Sequence, residues 1–518
     1  MLKTLGIGGT AALAGCAGGD GTDTETGTDS GPQTSTPIDT PKNATREVKG
    51  KWNAATSVDA QSLNWLQIAD NTSGSYIALC LDSAWAIDNN QEIFPLWCDV
   101  STDDAITYEI KLRENLKWGA GYGQMTADDW VYMIKNVFQA QPNWVGYPSA
   151  DDWFGTNPET GESEPLKVRK TGKFTFEIEL FSVDPSWPFK PVMWGQNCMP
   201  KGLLEKYVPD KDAEGLKKDP EVQRLQYSGN LGPYQYKNWK RSSQFITNRN
   251  NEYYMREAED LPEKWDKAPY FEQYNYKVIK EESARLGALE SGDITSAAIP
   301  PNKAQKYKQN DDINLIVQPQ PYLSVLAYNM RENGWEQFRK KGVRQALACA
   351  VDKKGLAQGV YRGYAQAAQT MQPRWSKWYN DDKVTNYGVG DLYGKDVTQK
   401  KMKDALSDTD YSYDGDKLVN GDGEQVTLKL MFNSGQPTNQ TKAEFVAQEF
   451  EKNAGIKVEV KATSSFIAKY AHNAPPSDVT PEWSAGYFNG GPRDVSTSPE
   501  SWDMSVNLSF NTYPYTPS

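Results

Sequence analysis

Between Thr427 and Val460 the chain lays down a strand, a helix and a second strand, an order that constrains its fold more than any other feature. Thr427 to Phe432 has a strand pattern, and Asn433-Ser434-Gly435 makes a turn. Ala443, Val446, Ala447 and Phe450 recur at helical spacing, Gly455 stops the helix, and Ile456, Val458 and Val460 alternate as a strand. Strands joined by a helical crossover pair in parallel, with a right-handed connection. Ligands of such sheets sit beyond the carboxyl ends of the strands. Asn433, just past one of those ends, is therefore a candidate ligand contact.

Other stretches are equally readable. Leu323 to Tyr328 predicts a strand ending at Asn329, a second candidate contact. A helix follows from near Lys341, with Val343, Ala346, Leu347, Ala350 and Val351 on one face, and the pattern runs to Val360 with Gly363 as its stop. Thr107 to Arg113 alternates, with Tyr108, Ile110 and Leu112 on one side. Thr126 with Asp129 is a capping-box-like start, and Trp130, Met133, Ile134, Val137 and Phe138 continue it as a stripe. Lys173 to Phe181 predicts a further strand, and Glu281 to Leu289 a helix ending at Gly292.

The chain has 518 residues, enough for two or three domains, and a net charge of -12. An acidic balance disfavours binding to a phosphate backbone, so no nucleic-acid partner is expected. The single histidine, His472, leaves histidine-based metal sites and nucleophilic triads without material. No cofactor is expected, and no GxxxxGK[ST] loop occurs for ATP. Met1 to Cys16 reads as a short lipoprotein signal: Lys3, an apolar run, then Leu13-Ala14-Gly15-Cys16, with Cys16 as the lipidation site. Residues 17–45 are Gly, Thr, Ser, Asp and Pro with few apolar residues, a flexible linker. Cys80, Cys98, Cys198 and Cys349 have irregular spacing. One disulfide, Cys80–Cys98, is available outside the cell, and buried free thiols are the simpler expectation.

Several motifs recur in a telling order. Ile93-Phe94-Pro95-Leu96-Trp97 precedes Leu116-Lys117-Trp118-Gly119 and Thr126-Ala127-Asp128-Asp129. Gly232-Pro233-Tyr234 and Asn250 to Tyr254 follow, then Gly292-Asp293-Ile294, then Val343-Arg344-Gln345-Ala346-Leu347 with Ala350-Val351-Asp352, and finally Trp502-Asp503-Met504. This succession resembles the extracellular solute-binding proteins of family 5, the dipeptide- and oligopeptide-type substrate-binding lipoproteins of ABC transporters. The resemblance implies an α/β, periplasmic-binding-protein-like two-lobe fold of type II with an extra subdomain, mixed sheets flanked by helices, and a ligand cleft between lobes. On that pattern residues 46–88 and 225–320 form the core of lobe I, 89–224 its extra subdomain, and 321–518 lobe II. Relatives of this type continue with a segment returning to lobe I, so the sequence is expected to be truncated at its C-terminus.

The resemblance also implies a function: capture of a small solute, here oligopeptides, and delivery to permease subunits served by separate ATPase subunits. The protein is then a non-enzymatic monomer at the extracellular or periplasmic face, attached to the membrane through its lipid alone. In peptide-binding members an aspartate after the late strand pairs with the ligand's ammonium, whereas Leu508 to Pro514 contains no carboxylate, and Asn511 can only hydrogen-bond. Asn511 with Trp483, Tyr487 and Trp502 would also suit an oligosaccharide or another neutral solute. A secreted glycan-active enzyme is the remaining alternative. Asp503 is expected to be an exposed strand carboxylate.

Overall fold

A computed structural model describes residues 47–511, apart from 69, 88–91, 191, 192, 194, 258–267, 318–321, 373, 375–378, 472–495 and 497. The described parts of Pro37–Ala297 and of Ala298–Tyr513 make two compact units.

The first unit carries β1 (Lys51–Thr56), α1 (Asn71–Ala78), β2 (Cys98–Ser101), β3 (Thr107–Leu112), α2 (Ala127–Met133), β4 (Lys167–Lys170), β5 (Thr175–Glu179), β6 (Tyr234–Lys240), β7 (Gln244–Arg249), β8 (Gln273–Val278) and α3 (Glu282–Glu290). One mixed sheet runs β1-β8-β7-β6, with β1 parallel to β8 from Lys51↔Gln273 to Thr56↔Val278. An antiparallel sheet runs β2-β3-β5-β4. The alternation along β3 is real: Tyr108, Ile110 and Leu112 are buried while Glu109 and Lys111 face water. So is the box at Thr126, whose N–H donates to Asp129 Oδ2 at 2.8 Å. The stripe it opens is buried throughout, but its second half, Ile134–Phe138, is wound as a π turn. The unit's aromatic wealth is core packing: Tyr76 of α1 stacks on Phe245 and Tyr276 at 4.6 and 4.8 Å.

The second unit carries β9 (Tyr322–Ser324), β10 (Ala327–Tyr328), α4 (Lys341–Ala350), α5 (Lys353–Gly359), α6 (Lys395–Ala405), β11 (Thr427–Asn433), α7 (Pro437–Ala454), β12 (Lys457–Thr463), β13 (Met504–Ser505) and β14 (Ser509–Asn511). Its sheet is ordered β10-β13-β11-β12, and β11 lies parallel to β12 from Thr427↔Lys457 to Asn433↔Thr463. The crossover helix α7 ends at Gly455, whose φ of +68° is a left-handed cap. β9 and β14 form a separate antiparallel ribbon.

Two sequence expectations need correction here. The strand of residues 323–328 is divided, because its halves pair with different partners: Tyr322–Ser324 with β14, and Ala327–Tyr328 with β13. The helix from Lys341 does not continue to Val360. Val351 is extended, and the Asp352 carboxylate accepts from Gly355 N–H at 2.8 Å, starting α5 as a new helix. Val351 is buried in the same core as the α4 stripe, and α5 buries Ala357. The four described cysteines are free and buried. No described helix is long and apolar enough to cross a membrane.

Candidate ligand-binding site

At the carboxyl end of β11, polar side chains replace ladder bonds. The Asn433 N–H donates to Asn507 Oδ1 at 2.8 Å, and Asn433 Oδ1 accepts from Phe466 N–H at 2.7 Å. Asn507 Nδ2 in turn donates to the Met431 carbonyl at 3.1 Å and Ser505 Oγ at 2.9 Å. Asn433 is thus held by both its backbone and its side-chain oxygen, while its Nδ2 makes no hydrogen bond to the described residues. That amide lies just past the carboxyl end of β11, the end at which ligands of parallel sheets are generally found.

Trp502 stands in a small apolar cluster with Met431, Phe466, Ile467, Tyr470 and Leu508. Its ring meets Phe466 edge-on, 4.9 Å between centroids at 84°, and Phe466 stacks on Tyr470 at 5.7 Å. It is half-buried, so the indole is one wall of that cluster with part of its surface open. Asn329 is buried and fully engaged. Its Nδ2 donates to the Trp502 carbonyl at 2.8 Å and Asn333 Oδ1 at 3.0 Å, and its Oδ1 accepts from Arg331 N–H at 3.1 Å. Its place in the structure is that of a clasp joining the loop after β10 to residues 498–503, where Asn333 also bonds Ser498. Asn511 ends β14 opposite Tyr322. Trp483, Tyr487, His472 and the lipidation residue Cys16 lie outside the described residues.

Asp503 departs from the expected exposed strand carboxylate. It precedes the two-residue β13, is half-buried, and its Oδ2 accepts from Lys429 N–H at 2.7 Å. The side chain adds to a backbone that also pairs there, the Asp503 N–H donating to the Lys429 carbonyl at 3.2 Å, and burial raises its pKa.

Lys442, which the sequence did not single out, is among the most buried charged residues of this unit at 7% exposure. It stands on α7 next to the apolar stripe, in line with Val446, Glu449 and Asn453, all buried. Glu449 and Asn453 have work there: Glu449 Oε2 accepts from Asp352 N–H at 3.0 Å, and Asn453 Nδ2 donates to the Ala350 carbonyl at 2.7 Å, gripping the α4–α5 junction. Lys442 Nζ has Ser324 Oγ at 2.9 Å. Burial pushes its ammonium down to about 8. A polar residue recurring at i, i+7 and i+11 beside an apolar stripe was the available signal, and it is easily read as solvent-facing.

An open depression of about 740 Å³ lies near the opposite, amino end of β11, lined by Asp408, Asp410, Tyr411, Asn420 and Asp422 among others. It is a solvated acidic surface, and no group of three or more metal-ligating side chains occurs among the described residues.

Residues 82–504 match the family described as bacterial extracellular solute-binding proteins, family 5 Middle. Over 411 residues the chain is 25% identical to the oligopeptide-binding protein AppA of Bacillus subtilis (strain 168), a match covering 78% of this chain and 65% of AppA. It is 24% identical over 292 residues to the probable ABC transporter periplasmic-binding protein SapA of Escherichia coli (strain K12), covering 55% of this chain and 49% of SapA. The chain thus spans about half to two-thirds of the length of these relatives. Among solved structures it resembles AppA from Bacillus subtilis in complex with a nonapeptide, with a TM-score of 0.65 at 21% identity, over 90% of this chain and 81% of that one.

Proposed function

We propose, for a chain that belongs to the bacterial extracellular solute-binding proteins of family 5, that it is the substrate-binding component of an ABC importer and captures oligopeptides for delivery to a membrane permease. The observation that carries this reading is the family match over residues 82–504 together with the likeness to an oligopeptide-binding protein, in sequence and in fold. The likeness to SapA supports the transporter context. Such a protein makes and breaks no covalent bond. It works because the ligand binds one conformation better than another, and that difference alone shifts the population. Family membership argues for a pair of lobes closing on the solute. ATP is hydrolysed by other subunits, the protein acts as a monomer, and Cys16 tethers it to the outer membrane face. Asn433 Nδ2 is the donor we assign to the ligand at the end of β11, with Trp502 as a neighbouring wall and Trp483 and Asn511 as further contacts.

The test is mass spectrometry of cargo released by acid from the purified full chain. A ladder of peptides is the expected result. Masses spaced by one hexose would replace the peptide reading with an oligosaccharide one, and turnover of a glycan by the purified protein would replace the binding function itself.

A further inference from the structure

A buried ammonium with a single neutral partner is a costly thing to keep in a fold. Lys442 offers three donors, and Ser324 Oγ takes one of them. Ser324 Oγ is its hydrogen-bond partner, and it forms no ion pair with a carboxylate among the described residues. A negative group arriving here meets a cation that no described carboxylate neutralises, beside the Ser324 hydroxyl.

The place can be reached. Ser324, which holds the ammonium, is itself exposed at the end of β9, opposite the exposed Ser509 of β14. And α7 follows closely on the carboxyl end of β11, the end at which Asn433 lies.

We propose that Lys442, with Ser324, forms a carboxylate-binding subsite in the second unit, and that the solute is anchored there by a carboxylate, either its C-terminus or an acidic side chain. This rests on the peptide reading for the identity of the ligand but not for the chemistry of the subsite. The retained cost of an unpaired buried lysine is explained if a ligand supplies the missing charge, and the charge then discriminates between solutes that carry a carboxylate and those that do not.

The experiment uses the full chain freed of cargo, wild type and Lys442→Met, which keeps length and removes charge. Three probes are titrated calorimetrically: penta-alanine, its C-terminal amide, and the amide with glutamate at the third position. Wild type is expected to prefer penta-alanine over its amide by about 10- to 100-fold, the range of a charge-assisted contact. If the acidic side chain is the group recognised, the glutamate-containing amide takes that preference instead. In Lys442→Met the ratio between the affinities for penta-alanine and its amide falls to about one. A preference that survives the substitution overturns the proposal and leaves Lys442 as a fastening for Ser324.

A second measurement needs no peptide: the thermal midpoint in sodium acetate against sodium chloride at equal ionic strength. Acetate should raise the midpoint of wild type and not of Lys442→Met. If no peptide binds wild type but acetate still distinguishes the two proteins, the peptide reading fails and the subsite stands. If neither measurement distinguishes them, the subsite is wrong. Should Lys442→Met fail to fold, Lys442→Gln serves the same comparison.

Discussion

Asp82 shows how a residue can be plain in the sequence while its role is hidden. The Tyr253 and Tyr254 hydroxyls both donate to its Oδ2, at 2.7 and 3.0 Å, across more than 170 residues of chain. Burial pushes its carboxyl up to about 7 despite those two donors. Between about pH 4, the ordinary aspartate range, and about 7, the folded state therefore holds a proton that the unfolded chain has released. Stability from this group is complete below that window and is lost as pH rises through it. Asp82→Asn keeps an acceptor for the tyrosines and does not titrate. Between pH 5 and pH 8 the wild type should lose about 2 kcal/mol relative to this variant, a figure discounted for the partial exposure of the residue. Urea midpoints of both proteins at the two pH values check it, and parallel profiles would mean that the tyrosines keep the carboxylate charged. The tyrosine pair was visible as part of a family-like motif, and its partner was not. Lys442 was hidden for a related reason: periodicity marks apolar faces and is silent about a charged residue tucked against their edge.

At the scale of elements the sequence was far more legible, because caps, stops and alternation are local. The box at Thr126, the β11–α7–β12 unit and the stop at Gly455 could each be read from a few neighbouring residues. What escaped was decided by distant partners. The break at Val351–Asp352 exists where Glu449 of α7 accepts from the Asp352 N–H, and the split of residues 322–328 follows two strands almost two hundred residues away. Gly455 and Gly435 let the two influences be separated. Both have positive φ, +68° and +75°. A Cβ at Gly435 would meet nothing within 4 Å, whereas one at Gly455 would stand 2.0 Å from the Asp416 carbonyl oxygen, which belongs to a hairpin docked by Leu418 N–H on the Gly455 carbonyl. Gly435→Ala should therefore cost only the left-handed penalty, about 1 kcal/mol. Gly455→Ala should cost about 3 kcal/mol or more, since a backbone must also move. Denaturant midpoints of the two variants check the difference, and equal losses would show that the hairpin yields freely.

At the scale of the whole molecule, the order of motifs was enough to give the fold class, which the match to family 5 and the likeness to AppA bear out. It could not give the position of the short late strand, because two residues carry almost no periodicity. The structure places β13 between β10 and β11, with Leu430 opposite Met504, so a segment from residues 504–505 divides strands from residues 327–328 and 427–433. Met504 is fully buried in the core shared by α4, α6, α7 and β11. That core is formed by the second unit's own residues, and the first unit's two four-stranded sheets are formed by strands between Lys51 and Val278. Met504→Lys puts an unpaired charge into the former and should cost more than about 4 kcal/mol, a large share of the stability of an ordinary domain. Hydrogen exchange followed by mass spectrometry is the measurement that resolves where the loss falls. Amides of β11, β12 and α7 should lose protection by two orders of magnitude or more, while those of β1, β3, β7 and β8 keep theirs. Equal loss in both sets would show that the two units unfold as one cooperative block, and a core substitution in either would then disable the whole binding protein.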